Sequence, residues 1–158
     1  MQTVFGTQQD HIFMQAALQQ AQKAYKKKEV PVGAVVVDAT GMIIARGYNK
    51  VESQKTQTAH AELCALVKAA KKINDWRLNG CWLYVTLQPC SMCMGLIKLS
   101  RMQGIVYGAP SPLFGYHLDN QDGLPVYKID TLIISGIGEE QAANILKKFF
   151  REKREGKI

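Results

Sequence analysis

The sequence predicts an α/β protein, because segments with helical periodicity alternate with short runs rich in β-branched residues. The chain of 158 residues shows no linker, internal repeat or low-complexity segment. A chain of about this length buries roughly 68–70% of the surface that its unfolded form exposes, so it can fold without a disulfide. We therefore predict a single domain that covers residues 1–158.

The first part of the chain contains one predicted helix and one predicted hairpin. Apolar residues at helical spacing predict a helix over 8–27, and Thr7 with Asp10 three residues later resembles a capping signature. The runs VPVGAVVV and MIIARGYN predict two antiparallel strands, because the turn DATG between them has hairpin length.

The later elements continue the alternation of helices and strands. A helix is predicted over 59–72, and the prolines and glycines between 110 and 130 predict a loop with little regular structure. The remaining predicted elements are the strand CWLYVTL, a helix over 91–99, the strands QGIVYGA and DTLIIS, and a last helix from Glu139.

The cellular compartment is predicted from the first residues and from the apolar runs. The start, MQTVFGTQQDH, lacks the basic segment and apolar core of a secretion signal. The longest apolar run, VPVGAVVV, is far shorter than the ~20 residues that span a bilayer. We therefore expect a cytoplasmic protein with no membrane partner. In that reducing compartment a CxxC pair indicates a metal or redox site rather than a structural disulfide.

Positive charge is concentrated at the C-terminus. The net charge is +7, and the tail LKKFFREKREGKI has six basic and two acidic residues, an excess of +4. This tail is either a solvated helical end or a phosphate-binding surface with Phe149 and Phe150 as stacking groups. Ile145, Leu146 and Phe149 recur at helical spacing, so Phe149 is equally well explained as a core residue.

A metal site is predicted around the stretch LQPCSMC. Pro89 suits the start of a helix, and Cys90 and Cys93, three residues apart, then share one face of its first turn. Zinc accepts such thiolates, and the best third ligand is His60 in TAHAE. Glu62 lies two residues after His60, so both side chains can face one ion only at a frayed or just-forming first helical turn.

Such an arrangement has a chemical use, because three protein ligands leave zinc an open position for water. Glu62, a carboxylate that is not a ligand, could then take a proton from that water. Two other interpretations remain open. Cys64, four residues after His60, could close a structural Cys₃His site, or the CxxC pair could be redox-active.

The residues also carry a family resemblance. TAHAE followed by LQPCSMC resembles the H-x-E and P-C-x-x-C signature of zinc-dependent nucleoside and nucleobase deaminases. Within that superfamily the chain is most similar to the bacterial tRNA-specific adenosine deaminases. From Glu29 onward it contains, in that family's order, the segments EVPVGAVVV, GYN, TAHAE, WRL, LYVTLQPCSMC, SRM, VYGA and FFREKR.

The resemblance implies a three-layer α/β/α fold of the cytidine-deaminase type, with a mixed five-stranded sheet. It implies a homodimer with one Zn²⁺ per chain that converts the wobble adenosine of a tRNA anticodon stem-loop to inosine by hydrolysis. His60, Cys90 and Cys93 would be the zinc ligands. Glu62 would be the catalytic proton shuttle that acts on water activated by zinc.

The resemblance also implies a set of substrate contacts. Asn49 would hold the flipped base, and Val30 would wall the pocket, although simple strand packing would equally explain Val30. Phe149, Arg151 and the rest of the basic tail would contact nucleotides that flank the target.

The sequence departs from the family pattern in two places. Gln88 stands where the family usually has glutamate, and APSPLFGYHLDN replaces a loop that contacts RNA in the family. Two other functions therefore stay open. A deaminase of a small nucleobase or nucleotide would not need the basic tail, and an RNA-binding module with structural zinc would not need Glu62.

Overall fold

The computed structural model describes residues 3–118 and 130–158, and helices alternate with strands along this part of the chain. The predicted elements agree with the observed ones to within three residues. The helices are α1 (Thr7–Lys26), α2 (Val51–Gln54), α3 (Ala61–Ile73), α4 (Ser91–Leu99) and α5 (Glu139–Arg154). The strands are β1 (Gly33–Val37), β2 (Ile43–Tyr48), β3 (Trp82–Leu87), β4 (Gly104–Ala109) and β5 (Leu132–Ser135).

Within the described residues the strands form one mixed five-stranded sheet in the order β2-β1-β3-β4-β5. β1 pairs antiparallel with both β2 and β3, which confirms the predicted hairpin. β3, β4 and β5 are parallel neighbours, and α4 provides the crossover between β3 and β4. The mixed sheet implied by the family resemblance is thereby confirmed.

Helices cover both faces of the sheet, so the fold has three layers. Alternate residues of a strand point to opposite faces, and β1 divides its side chains accordingly. Val35 and Val37 pack in the cluster that contains the apolar face of α1, whereas Ala34 and Val36 pack in the cluster that contains α3 and α4. All five residues of β1 are therefore buried, as expected of a strand covered on both sides.

Two strand glycines let helices approach the sheet closely. A Cβ at Gly33 would lie 2.0 Å from the carbonyl oxygen of Ala17 in α1. A Cβ at Gly47 would lie 2.4 Å from the carbonyl oxygen of Ala61, the first residue of α3. Gly47 therefore sets how near the start of α3 lies to β2.

The predicted capping role of Thr7 and Asp10 is wrong. The helix begins at Thr7, its N-cap is Gly6, and no side chain caps it. The Asp10 carboxylate is buried and accepts hydrogen bonds from the backbone N–H of Val4 and from the hydroxyl of Tyr84. Burial and these two hydrogen bonds outweigh the local capping interaction that the sequence suggests.

The segment 110–130, predicted as a loop, is partly outside the described residues, which stop at 118 and resume at 130. Its described part folds back on the segment before α4, because the backbone N–H of Tyr116 donates to the carbonyl oxygen of Pro89 at 3.0 Å. Among the described helices, none is long and apolar enough to cross a membrane.

Candidate active site

The side chains of His60, Cys90 and Cys93 converge on one point. Their ligand atoms all lie within 4.8 Å of one another. The Nδ1 atom of His60 is 3.7 Å from the sulfur of Cys90 and 3.4 Å from the sulfur of Cys93. One imidazole and two thiols at this spacing form a donor set that suits zinc.

Two helix N-termini create this convergence. His60 is the N-cap of α3, with extended backbone angles, and Cys90 is the N-cap of α4. Cys93 lies in the first turn of α4 and is fully buried. The partial positive charge of both helix ends favours thiolate at this point.

Hydrogen bonds divide the protons unequally between the two thiols. The hydrogen bonds from Cys93 and His60 lower the pKa of Cys90 to about 4. The interaction with Cys90 raises the pKa of Cys93. Metal binding would release the thiol protons that the pair still holds.

Gln57 orients the imidazole of His60. Its Oε1 atom lies 3.1 Å from Nε2 of His60, so Nδ1 is the ring nitrogen that faces the sulfurs. The hydrogen bond to Cys90 raises the pKa of His60. A partner on the second nitrogen is the usual way in which a metal-binding histidine is held in one tautomer.

Glu62 lies beside the three converging residues, in the first turn of α3. It is only 4% exposed, and burial raises its pKa to about 6. Because His60 is an extended N-cap rather than a helical residue, His60 and Glu62 face the same space although they are two residues apart. The convergence predicted for a just-forming first turn is therefore observed.

Cys64 does not join the group. It is half-buried in α3, and its Cβ lies 3.0 Å from the position that a Cβ of Gly47 would take. Its Cβ thus lies on the side of α3 that faces β2, and its sulfur is not among the converging ligand atoms. The backbone N–H of Cys64 donates to the carbonyl oxygen of His60, but the two side chains do not share a helical face, because His60 is the extended N-cap.

A pocket of about 600 Å³ opens over these residues, a size typical of small-molecule sites. It is lined by the predicted residues Val30, Asn49, His60, Glu62 and Cys90, and by further residues of the hairpin, α2, α4 and the segment after β4. The added lining residues are Val32, Val51, Glu52, Gln57, Ala61, Leu87, Gln88, Met92, Ser111 and Phe114.

The side chain of Asn49 is fixed at the pocket wall. It is 7% exposed, its Nδ2 atom donates to the carbonyl oxygen of Val30 at 3.2 Å, and its Oδ1 atom accepts from the backbone N–H of Val51 at 3.4 Å. An amide can donate and accept further hydrogen bonds beyond these two. Asn49 thus has capacity left for a polar group in the pocket.

Phe149 and Arg151 do not line the pocket. Phe149 is 1% exposed and packs edge to face against Tyr25 and Phe150, so no face of its ring is open to a nucleotide. The predicted nucleotide contact of Phe149 is therefore corrected to a core role, for which its helical spacing was the signal. Arg151 is exposed on α5.

Sequence reasoning missed two residues that support the site. Gln57, three positions before His60, is hydrogen-bonded to the imidazole of His60. The buried Glu29 carboxylate accepts hydrogen bonds from the backbone N–H groups of Glu52 and Ser53, at 2.9 and 2.7 Å, and so fixes the first turn of α2. A charged residue directly before the apolar run VPVGAVVV was the available signal.

Comparisons with known proteins agree with this geometry. Residues 7–109 match the family model described as cytidine and deoxycytidylate deaminase zinc-binding region, and this range contains the three converging ligands. Zinc is thereby identified as the cofactor, with one site among the described residues.

Relatives define the family more closely. The chain is 42% identical over 151 residues to the tRNA-specific adenosine deaminase of Bacillus subtilis (strain 168), covering 94% of this chain and 93% of the relative. It is 39% identical to that of Agrobacterium fabrum, covering 90% and 94%. A structure solved in a study of A-to-I editing by tRNA:A34 deaminases superposes with a TM-score of 0.78 at 35% identity, covering 85% of this chain and 99% of the other. The chain belongs to the tRNA-specific adenosine deaminases, within the zinc-dependent cytidine and deoxycytidylate deaminase superfamily.

Proposed function

We propose that this protein deaminates adenosine to inosine at the wobble position of a tRNA anticodon, by hydrolysis with water activated by zinc. One observation is the main support for this proposal. The buried Glu62 lies at the same pocket as the converging residues His60, Cys90 and Cys93. The names of the relatives, which specify tRNA and adenine 34, support the substrate. We also propose that residues 1–158 form one deaminase domain.

The three converging residues would hold the zinc ion. Their donor atoms fit the metal chemically, since zinc prefers thiolate and imidazole ligands, and three of them leave a fourth position open. When bound, zinc supplies a Lewis-acidic centre at which water becomes nucleophilic near neutral pH. Gln57 would keep Nδ1 of His60 directed at the metal through its hydrogen bond to Nε2.

Glu62 would be the catalytic acid and base. Its carboxylate is buried against the pocket, and its pKa of about 6 lies near the pH at which a general base must both take and return a proton. Glu62 would accept a proton from the attacking water. It would give that proton to the ring nitrogen of adenine. It would then take a second proton from the new hydroxyl on C6 and give it to the departing amino group, which leaves as ammonia.

Asn49 and Val30 would hold the flipped base. The amide of Asn49 is fixed by its hydrogen bonds to Val30 and Val51. The donor and acceptor positions that it has left therefore point in a defined direction. Val30 offers an apolar surface beside it in the same pocket. A base that leaves its stack is bound by such a combination of polar edge contacts and apolar walls.

The exposed cations of α5, including Arg151, would bind phosphates of the stem-loop, because the tail has an excess of +4. Phe149 is not included, since it is buried. A homodimer and a cytoplasmic location complete the proposal. The location is supported by the tRNA substrate and by the need for free thiols, which reducing compartments maintain.

The test is to incubate purified zinc-loaded protein with an anticodon stem-loop bearing adenosine at the wobble position, and separately with free adenosine and free cytidine. Nucleoside analysis should find inosine only in the stem-loop reaction. Deamination of a free nucleoside, with the stem-loop left intact, would instead indicate a small-substrate enzyme. Zinc binding without any deamination would indicate a structural zinc module.

A further inference from the structure

The segment 110–118, which follows β4, brings an exposed aromatic ring to the pocket. Phe114 is 75% exposed, and it lines the pocket together with Ser111 and Gln88. A large apolar side chain left open at a binding cleft, rather than packed, marks a contact surface for a partner.

The side chain of Gln88 holds this segment in place. Its Oε1 atom accepts the backbone N–H of Ser111 at 2.9 Å, and its Nε2 atom lies 3.0 Å from Nδ1 of His117. Because the N–H of Ser111 can only donate, the amide oxygen must face Ser111 and the NH₂ group must face His117. Gln88 and Ser111 are both buried, so the hydrogen bond between them is shielded from water.

Backbone contacts close the segment tightly around Gln88. The N–H of Tyr116 donates to the carbonyl oxygen of Pro89 at 3.0 Å, and the N–H of Gly115 donates to that of Ser111 at 2.8 Å. A Cβ at Gly115 would lie 2.6 Å from the backbone carbonyl oxygen of Ser111, so a larger residue there would displace the segment. Phe114 is thereby anchored to the residues that directly precede Cys90.

The chemistry of the segment favours a base over a phosphate. Residues 110–118 contain no Lys, Arg, Asp or Glu, so they offer no ion pair to a sugar-phosphate backbone. Unpaired bases of RNA loops are bound mainly by stacking on aromatic side chains. An exposed phenylalanine at the mouth of a pocket for a flipped base meets this requirement.

We propose that Phe114 is the stacking platform for an unpaired nucleotide adjacent to the target adenosine, and that Gln88 is the positioning residue that holds Phe114 there. This inference rests on the proposed function, because it assigns a second nucleotide of the same stem-loop. It concerns the two places in which this chain departs from the family pattern.

The test compares Phe114→Ala and Phe114→Trp with Leu113→Ala, using the zinc-loaded enzyme and the stem-loop. Leu113 is a matched control, because it is the neighbouring residue, is 76% exposed and does not line the pocket. Phe114→Ala should raise KM about 5- to 150-fold, the range expected for the loss of one stacked base. Phe114→Trp and Leu113→Ala should retain the KM of the unmodified enzyme.

Two further readouts separate stacking from other roles. In Phe114→Ala the kcat should change by less than about twofold, because uniform binding is lost, and the dependence of binding on salt should stay the same, because no phosphate contact is lost. Gln88→Ala should reproduce the rise in KM. The double variant should be no worse than either single one, since Gln88 acts through Phe114.

Several outcomes would overturn the inference. An unchanged KM in Phe114→Ala, or an equal rise of KM in Leu113→Ala, would show that Phe114 is not a stacking platform. Dissociation of an oligomer by Phe114→Ala, seen by sedimentation, would mean that a second copy covers the ring. Failure of the unmodified enzyme to deaminate the stem-loop would refute the proposed function and this inference together. If the unmodified enzyme is active and Phe114→Ala leaves its KM unchanged, only the inference is refuted.

Discussion

Gly47→Ala should disturb the active site although Gly47 makes no contact with substrate in the proposed mechanism. The added Cβ would lie 2.4 Å from the carbonyl oxygen of Ala61 and 2.7 Å from the backbone nitrogen of Ala65. Both neighbours are backbone atoms of α3, so neither can rotate away. The helix that begins directly after His60 must therefore move.

The size of the effect follows from these distances. Real Cβ atoms essentially never come closer than 3.0 Å, so the contact with Ala61 is 3.0 − 2.4 = 0.6 Å too short. Overpacking of this kind costs about 1–3 kcal/mol of the free energy of unfolding, or about 2–12 °C of melting temperature for a chain of this length. A shift of 0.6 Å also exceeds the ~0.5 Å within which a site must be held. We therefore expect zinc affinity to fall about 10-fold or more.

Gly33→Ala is the matched control. Its Cβ would lie 2.0 Å from the carbonyl oxygen of Ala17, so it should destabilise the protein at least as much. It displaces α1, however, and α1 carries none of the zinc ligands. The two variants also share the same loss of glycine freedom in the unfolded chain, so this effect cancels between them.

Thermal melting and competitive zinc titration of both variants are the assays. Gly47→Ala should lose stability and zinc affinity together, whereas Gly33→Ala should lose only stability. Equal losses of zinc affinity would contradict the argument that α3 positions the metal site. A Gly47→Ala variant that melts at the temperature of the unmodified protein would also contradict this argument.

Two other variants separate the chemistry from the alternatives that the sequence left open. Cys64→Ser should keep one zinc per chain while Cys90→Ser loses it, because the Cys64 sulfur is not among the converging ligand atoms. Elemental analysis decides, and zinc loss from Cys64→Ser would indicate a closed four-ligand site. Removing residues 153–158 deletes three basic residues and one acidic residue, so stem-loop binding should weaken and its salt dependence should flatten while inosine still forms at saturating substrate. Titrations at several salt concentrations measure this, and an unchanged slope would make the tail a solvated helical end.

Periodicity in the sequence was enough to predict the long elements of the fold. Helix α4 has the predicted bounds, and α1 is displaced by one residue at each end, because apolar spacing over many residues leaves little ambiguity. The short helix α2 and the turn of 3₁₀ helix at Gln57–Ala59 were missed. Elements of three or four residues have no period, and the donors to Glu29 that fix α2 are tertiary contacts.

The geometry of the site was predictable where spacing alone restricts it. The spacing of Cys90 and Cys93 allows both to face one ion from the start of a helix, and His60 with Glu62 can converge only at a helix start. Both convergences are observed, with Cys90 as the N-cap of α4 and His60 as the N-cap of α3. The direction of the Cys64 side chain was not predictable, because it depends on the extended backbone of His60. The burial of Phe149 was also undecided, since helical spacing does not tell which face of α5 meets Tyr25.

The central claim is that Glu62 moves the protons while three other residues hold the zinc, and the kinetics of Glu62→Gln test it most directly. The amide keeps the shape of the buried side chain, so the variant should fold and should contain one zinc per chain. It cannot take a proton from water, so formation of inosine from the stem-loop should fall by about 10²- to 10⁴-fold. Stem-loop binding should persist, because we propose that the exposed cations of the tail, and not Glu62, contact the phosphates. A zinc-loaded Glu62→Gln enzyme with a rate near that of the unmodified protein would contradict the account.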